Sequence, residues 1–178
     1  MIIAGKFHQV LVKEKIALLN NKILISIIIL FFCFITDRVT KIYIINYFVE
    51  NNLNDLYINP HLNFVLLWNR GIAFGLLESE SLFYNLISVL ILMIIIFIFY
   101  LIFKAKKKIE VICFSMISGG AMGNFVDRIY YNAVPDFIDL HHKGFHWFTF
   151  NVSDIWITIG ILILLIFDTI KLMINKND

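Results

Sequence analysis

The sequence predicts an integral membrane protein that is mainly α-helical, with four transmembrane helices. Hydrophobic residues make up 60% of its 178 residues, charged residues make up only 16%, and the mean hydropathy is +0.84. Soluble domains usually carry about 45–50% apolar and about 25% charged residues. This composition argues against an ordinary soluble domain or a nucleic-acid-binding module, and the net charge of +2 gives no sign of a polyanionic partner.

The four spans follow from the lengths of the uncharged runs, because a helix needs about 20 mostly apolar residues to cross the hydrocarbon. Residues 81–103 form the clearest run. Residues 23–36, 111–126 and 155–167 are shorter, and each becomes long enough if polar residues occupy a terminal turn. We therefore expect a single membrane-embedded domain over residues 1–178, with spans at approximately 22–46, 76–103, 110–129 and 152–174.

The distribution of lysine sets the predicted orientation, because cytoplasmic loops are rich in Lys and Arg. Lysines precede the first span, occupy the connection between the second and third, and follow the fourth: Lys6, Lys13, Lys15, Lys22, Lys104, Lys106, Lys107, Lys108, Lys171 and Lys176. Both termini are therefore expected in the cytoplasm. No small-residue cleavage site follows the first apolar run, so the N-terminal segment is expected to remain as the first helix.

The two connections on the outer side, at about 47–80 and 129–151, are not plain loops. Residues 62–68 are aromatic and branched enough to form a strand, and residues 69–71 make a turn. Residues 144–150 carry four aromatic side chains, which suits the membrane interface. We expect a small extracytoplasmic β-sheet and a loop that cover the outer ends of the helices.

Charged residues at the ends of the spans are the most informative feature, because charge is costly in a bilayer and usually functional. Those of three helices gather at one depth near the outer headgroups: Asp37, Arg38 and Lys41 end the first span, Asp127 and Arg128 end the third, and Asp154 begins the fourth, with Asp136 in the adjoining loop. A functional site is therefore expected near the outer leaflet.

Asp136 and Asp154 are the candidates for chemistry. Asp136 stands between apolar residues beside Pro135, and Asp154 opens an apolar helix, so both have a low-dielectric neighbourhood. Two carboxylates brought within a few ångström share a proton. One then activates a water molecule while the other donates a proton to an amide. Helix capping is the competing interpretation of Asp154.

The other charged residues favour structural roles. Asp127 and Arg128 are expected to partner each other or groups nearby. Asp37 and Lys41 are four residues apart and lie on one helix face, where they can form an ion pair. Asp139 is expected to be an exposed loop carboxylate.

Glycine and amide residues add weaker signals. Gly119 and the glycine four residues later form a small-xxx-small face that lets two membrane helices approach closely. Clearing space for a substrate backbone is the alternative for this face. Asn124 adds a polar group near the same end, and Asn69 or Arg70 could donate a hydrogen bond to a substrate carbonyl from the turn.

Two other functions compete. His141, His142 and His146 lie near acidic residues, and three histidines with a carboxylate could hold zinc. Their spacing matches no zinc-peptidase motif such as H-E-x-x-H, so no metal is expected. A transporter or channel component would need polar residues through the depth of the membrane, whereas the second and fourth spans have apolar middles.

Five stretches together resemble the lipoprotein signal peptidases, also called signal peptidase II. They are TDRVTK at 36–41, NRGIAFG at 69–75, GGAMGNFVDR at 119–128, VPDFID at 134–139 and FNVSD at 150–154. Each motif alone is weak, but the five occur in the family's order over most of the chain. The departure from the family pattern is Ser153, where alanine is commoner, and residues 1–15 precede the usual start.

The resemblance implies an aspartyl endopeptidase of the bacterial inner membrane that uses no cofactor. Such an enzyme removes the signal peptide from diacylglyceryl-modified prolipoproteins, cutting just before the lipidated cysteine. Its implied partners are that substrate and membrane lipids, with no nucleic acid, and a monomer is expected. The implied catalytic pair is Asp136 and Asp154. The residues expected to support the site or contact substrate are Asp37, Lys41, Asn69, Arg70, Gly71, Gly119, Asn124, Asp127, Arg128 and Asn151.

Overall fold

The computed structural model describes residues 2–71 and 81–176, with side chains described over 19–71 and 84–174. Within these residues it has four long helices and one small antiparallel sheet, so the predicted fold class is confirmed. In chain order the elements are α1 (Ile2–Glu50), β1 (Asp55–Asn59), β2 (Leu62–Asn69), α2 (Ser81–Lys104), α3 (Lys108–Tyr131), β3 (Val134–His142), β4 (Phe145–Phe150) and α4 (Val152–Lys176).

Each helix contains a segment that is long and apolar enough to cross a membrane: Leu19–Glu50, Tyr84–Lys104, Lys108–Tyr131 and Val152–Ile174. Large apolar side chains such as Ile28, Phe97 and Leu165 are more than half exposed on the outer faces of α1, α2 and α4. Exposed apolar surface of this extent is suited to lipid rather than to water. The first helix also continues towards the N-terminus through the lysine-bearing segment.

The bundle is organised around α3, on which α1, α2 and α4 all pack. Two glycines of α3 make this close approach possible. A Cβ atom at Gly119 would lie 2.6 Å from the backbone oxygen of Leu30, and one at Gly120 would lie 2.6 Å from the backbone oxygen of Ser153. The packing hypothesis for Gly119 is therefore confirmed, because any side chain there would separate α3 from α1.

The four strands form one antiparallel sheet in the order β1-β2-β3-β4. The strand predicted at 62–68 is confirmed by β2. The expectation that Asp136 lies in a loop is wrong, because it belongs to β3, where it pairs with Leu67 of β2. The sheet rests on the end of α1 through Phe137, which packs with Ile44 and Phe48. It thus covers the end of the bundle at which the charged residues gather.

Candidate active site

The predicted polar residues converge on a cavity of about 550 Å³ that is bounded by α2, α3, α4 and the sheet. Most of the remaining wall is apolar and comes from the middles of the helices, including Ile94, Ile98, Phe114, Ile117 and Ile157. One end of the cavity is therefore polar and the rest is suited to hydrocarbon. The predicted residues that line it are Asn69, Asn124, Arg128, Asp136, Asn151 and Asp154.

Asp136 reaches the cavity from β3 and is only 2% exposed. The side-chain amide of Asn69 donates to its Oδ2 atom over 2.9 Å, and that of Asn151 donates to its Oδ1 atom over 2.6 Å. Burial, and after it the negative charge of Asp154, raise the pKa of Asp136 to about 6. The carboxyl group therefore keeps its proton to a much higher pH than an ordinary aspartate does.

Asp154 stands in the first turn of α4. The backbone N–H of Asn151 donates to Asp154 Oδ2 over 3.1 Å, and the Asp154 N–H donates to Asn151 Oδ1 over 3.2 Å. This reciprocal pair is a capping box, so the capping interpretation of Asp154 is confirmed. The same residue also lines the cavity, and its Oδ1 atom accepts from Asn124 over 2.8 Å. Capping and a role in the site are thus compatible.

Asn151 links the two acids. Its side-chain amide donates to Asp136, while its side-chain oxygen and backbone N–H engage Asp154. The residue is fully buried. Only one orientation of its side-chain amide directs the NH₂ group to Asp136 and the oxygen to the Asp154 N–H. The start of α4 and both carboxyl groups therefore share one residue as a common support.

A buried charge cluster lies behind Asp154, composed of Asp37, Arg38, Lys41 and Asp127. Lys41 Nζ lies 2.9 Å from Asp37 Oδ1 and 2.7 Å from Asp127 Oδ2. Arg38 lies 2.9 Å from Asp37 and 2.6 Å from Asp127. The expected Asp37–Lys41 pair is confirmed, and Asp127 is partnered by α1 rather than by its neighbour in the chain. Two cations balance two carboxylates, so the cluster is neutral.

The cluster is joined to the cavity through Asn124. Lys41 Nζ donates to the side-chain oxygen of Asn124 over 2.8 Å, and the Asn124 amide donates to Asp154. The lysine thereby sets which end of the amide faces Asp154. Asp37 extends the support differently, because its Oδ1 atom accepts from the Ser153 N–H over 3.0 Å and so holds the first turn of α4.

The remaining predicted residues lie at the edge of the cavity or away from it. Gly71 N–H donates to Asn69 Oδ1 over 2.9 Å, which closes the expected turn, and its carbonyl accepts from Arg128 over 3.2 Å. Arg70 is exposed, and Gly119 lies at the interface with α1. The rest of the 69–75 motif lies outside the described residues.

The expectation that Asp139 is exposed is wrong. It is 3% exposed, and its Oδ2 atom lies 2.7 Å from Nδ1 of His146. Asp139 lies two residues after Phe137 on β3, so its side chain is on the face of the sheet that packs against α1. A single sequence carries no signal for which face of a strand will be covered.

Arg38 is absent from the predicted set of supporting residues, although it bonds both carboxylates of the charge cluster. Its place between Asp37 and Lys41 is the signal that could have found it. The apolar wall of the cavity was also not predicted. In a membrane helix, residues that face a cavity and residues that face lipid are equally apolar, so no pattern separates them.

Comparison with known proteins decides the family. The model of the family described as signal peptidase (SPase) II matches residues 29–170. The chain belongs to the signal peptidase II family. The lipoprotein signal peptidase of Pelagibacter ubique (strain HTCC1062) is 49% identical over 154 residues, which cover 86% of this chain and 90% of the relative. That of Anaplasma phagocytophilum (strain HZ) is 36% identical over 145 residues, covering 82% and 92%.

Solved structures agree with this assignment. Two structures described as bacterial membrane enzymes, determined by the in meso method at 2.3 and 1.9 Å resolution, are each 31% identical to the chain. Their TM-scores are 0.67 and 0.62, covering 85% and 79% of this chain and 90% of each structure. This signal peptidase II is therefore a multi-pass bacterial membrane protein and a peptidase, rather than a transporter or channel component.

The departure at Ser153 gives a prediction about stability. Its hydroxyl is buried and has no hydrogen-bond partner among the described residues, whereas the buried Ser115 hydroxyl bonds Ser26 Oγ and the Val111 carbonyl. An unsatisfied buried hydroxyl is costly, while losing a bonded one removes about 1 kcal/mol. Ser153→Ala should thus leave the melting temperature unchanged or raised, and the control Ser115→Ala should lower it. Thermal unfolding in detergent measures both, and an equal loss in the two variants would contradict the prediction.

Proposed function

We propose that this signal peptidase II hydrolyses diacylglyceryl-modified prolipoproteins just before the lipidated cysteine, with Asp136 and Asp154 as the catalytic residues. The observation that carries the proposal is that both carboxyl groups line the polar end of one cavity and are joined through Asn151. Aspartate pairs in such sites cleave amides without a covalent intermediate, because one acid is ionised and the other protonated.

The two acids differ in a way that assigns their parts. Asp154 stands at the N-terminus of α4, where the helix dipole and the Asn151 N–H favour negative charge. Asp136 is assigned the part of the proton donor, because burial raises its pKa to about 6. In the first step Asp154 takes a proton from a water molecule, and the oxygen of that water attacks the scissile carbonyl carbon. At the same time Asp136 gives its proton to the carbonyl oxygen. In the second, the tetrahedral hydrate returns a proton to Asp136, and Asp154 protonates the leaving amine.

The apolar part of the cavity is the proposed seat of the diacylglyceryl group. Its wall is formed by α2, α3 and α4, and residues such as Ile94 and Ile157 lie well inside the membrane-spanning segments. An acyl chain that enters the cavity exchanges one apolar surrounding for another, so van der Waals packing against the wall would provide the recognition. Recognition of the lipid would then place the cysteine, and the peptide bond before it, beside the two acids. This arrangement needs one chain, and we propose a monomer in contact with membrane lipids.

The site is proposed to face the outer leaflet, with both termini in the cytoplasm. The sheet joins α1 to α2 and α3 to α4, so it marks one side of the bundle. The lysine-rich connection between α2 and α3 marks the other. Lys22 of α1 supports this arrangement, since its Nζ atom donates to the carbonyls of Phe103 and Ala105 beside that connection. Positive charge on that side indicates the cytoplasm.

The test of the proposed function compares one precursor in two forms. Purified enzyme in detergent is incubated with a prolipoprotein carrying diacylglycerol and with the same precursor before lipidation, and release of the signal peptide is followed by mass spectrometry. Only the diacylated form should be cut, and the new N-terminus should be the lipidated cysteine. Equal cleavage of the unlipidated form would contradict the proposed specificity.

The pH dependence tests whether turnover needs a protonated carboxyl group of raised pKa, as proposed for Asp136. As pH rises through about 6, Asp136 in the free enzyme loses the proton that it must donate. We therefore expect kcat/KM to fall on the alkaline side of about pH 6, by about tenfold per pH unit. Initial rates measured at low substrate concentration from about pH 4.5 to about pH 8 give the profile.

Histidines titrate in the same range, so the control replaces the three on β3 and β4. A variant with His141, His142 and His146 all changed to alanine should keep most of its turnover, measured well below its melting temperature. The alkaline fall in kcat/KM should occur at the same pH in this variant as in the wild type. If the alkaline fall in kcat/KM disappears in this variant, the group responsible for it is a histidine. A complete loss of turnover would support a zinc peptidase instead.

A further inference from the structure

The hairpin of β3 and β4 carries a second group of chemically active side chains, Asp139, His141 and His146. Asp139 and His141 are two residues apart on β3, so they lie on the same face of the sheet. His146 of β4 is paired directly with His141. The register of the two strands shifts between Leu140 and His141. This irregularity brings His146, rather than its neighbour, to the face that Asp139 and His141 share.

The ligating atoms of these three side chains are close enough to share one ion. All three lie within 4.8 Å of one another. Asp139 Oδ2 lies 2.7 Å from His146 Nδ1 and 3.7 Å from His141 Nδ1. In a tetrahedral zinc site with bonds of about 2.0–2.1 Å, neighbouring ligand atoms lie about 3.3 Å apart. These two distances lie on either side of this value, and no two of the three ligating atoms are more than 4.8 Å apart, so rotations of the side chains would bring all three within reach of one ion.

A second observation points to a ligand. The Nδ1 atom of His141 is buried and has no hydrogen-bond partner among the described side chains and backbone. The His141 side chain is only 10% exposed, and its Nδ1 atom faces the Asp139 carboxylate at a distance too long for a hydrogen bond. A buried ring nitrogen without a partner is costly. A bound cation between His141 and Asp139 would satisfy it.

We propose that Asp139, His141 and His146 bind one divalent transition-metal ion, with Zn²⁺ as the preferred occupant. Two imidazoles and one carboxylate are a common zinc ligand set, and the fourth position would be taken by water. His146 is 58% exposed, which gives the ion a route from solvent. The three residues do not line the cavity that holds Asp136 and Asp154. The metal therefore clamps the β3–β4 hairpin and takes no part in peptide-bond hydrolysis.

The chain offers a matched control on the same hairpin. His142 lies beside His141 in β3, is exposed, and stacks on His61 with ring centroids 5.0 Å apart. Their Nδ1 atoms lie 3.1 Å apart, and one neutral ring can donate to the other. Replacing His142 removes one histidine from the hairpin, as replacing His146 does, but leaves the three proposed ligands intact.

The experiment uses the full-length, tag-free protein in detergent, stripped with EDTA and titrated with ZnCl₂ by isothermal titration calorimetry. The wild type and His142→Ala should each bind one ion and melt at a higher temperature when it is present. His146→Ala and Asp139→Asn should bind at least about tenfold more weakly and lose the thermal shift. Co²⁺ in place of Zn²⁺ should give the visible absorption of a tetrahedral site in the first two proteins only.

Three results would overturn the proposal. The first is no saturable binding by the wild type, and the second is unchanged affinity in His146→Ala. The third is a loss of binding in His142→Ala, which would move the ion to the His61–His142 pair. A cleavage assay with the EDTA-stripped enzyme tests whether the metal takes part in catalysis. Cleavage should continue without metal, and a metal requirement for turnover would contradict the division between the two sites.

Discussion

Replacing Asp136 or Asp154 by asparagine is expected to abolish signal-peptide release while leaving the protein folded in the membrane. Asparagine has nearly the same volume as aspartate but neither accepts nor delivers the proton in the proposed steps. General acid–base catalysis contributes about 10²–10⁴-fold to a rate, so a loss of at least this size is expected from each change. Cleavage of a diacylated precursor measures it, and thermal unfolding checks the fold.

The two changes should differ in their effect on stability. In Asp136→Asn, the new NH₂ group mismatches one bond, to the side-chain amide of Asn69 or of Asn151, and no backbone group that starts a helix is involved. In Asp154→Asn, the NH₂ group faces either the Asn151 N–H or the Asn124 amide, both of which are donors. The start of α4 is thereby weakened, and this variant should melt at the lower temperature.

Asp139→Asn is the matched control for the proposed catalytic pair. Asp139 is a second buried carboxylate on β3, three residues from Asp136, and undergoes the same chemical change. It does not line the cavity, so cleavage should be retained even where the hairpin is less stable. Retention of activity in Asp136→Asn or Asp154→Asn would end the proposal of a dyad, whatever the control does.

Lys41→Met is expected to have the largest effect on stability. It leaves the carboxylates of Asp37 and Asp127 in a buried site with only Arg38 to balance them. Removing one partner from a buried ion cluster typically destabilises a protein by about 3–5 kcal/mol. The melting temperature in detergent should fall accordingly. Cleavage should fall as well, because Asn124 loses the contact that orients it towards Asp154.

Lys22→Met is the comparison for this change. Lys22 is also on α1, but it makes two hydrogen bonds where Lys41 makes three, and both go to backbone carbonyls at an incompletely buried end of the bundle. Its loss should have a much smaller effect, about 1 kcal/mol. If Lys41→Met does not fold, the double variant Lys41→Met/Asp127→Asn still tests the cluster, because one cation then balances one carboxylate. The double variant should be more stable than the single one, and the reverse order would contradict the ion-cluster account.

The sequence reveals most of what depends on neighbours along the chain. The spans follow from local hydropathy, the Asp37–Lys41 pair follows from helical spacing, and the strand at β2 follows from its side chains. The meeting of Asp136 and Asp154 at one cavity was expected because both acids stand out from apolar surroundings and because the family resemblance implies them as a pair. In each case the signal is local: a charged residue among apolar residues, or a regular spacing of side chains along the chain.

What depends on contacts between distant segments could not be predicted in the same way. Lys41 and Asp127 are 86 residues apart, and nothing in either segment identifies the other as its partner. The burial of Asp139 depends on which face of β3 packs against α1, and the meeting of His146 with His141 depends on an irregular strand register. Neither property leaves a periodic trace in a single sequence.

The triple engagement of Asn151 has a consequence for inhibitor resistance. A compound that hydrogen-bonds to both acids would lie against a residue that also begins α4. Any replacement of that residue to exclude the compound would disturb the geometry on which the proposed turnover depends. Bacteria under such a drug would therefore have few mutational escapes at this position.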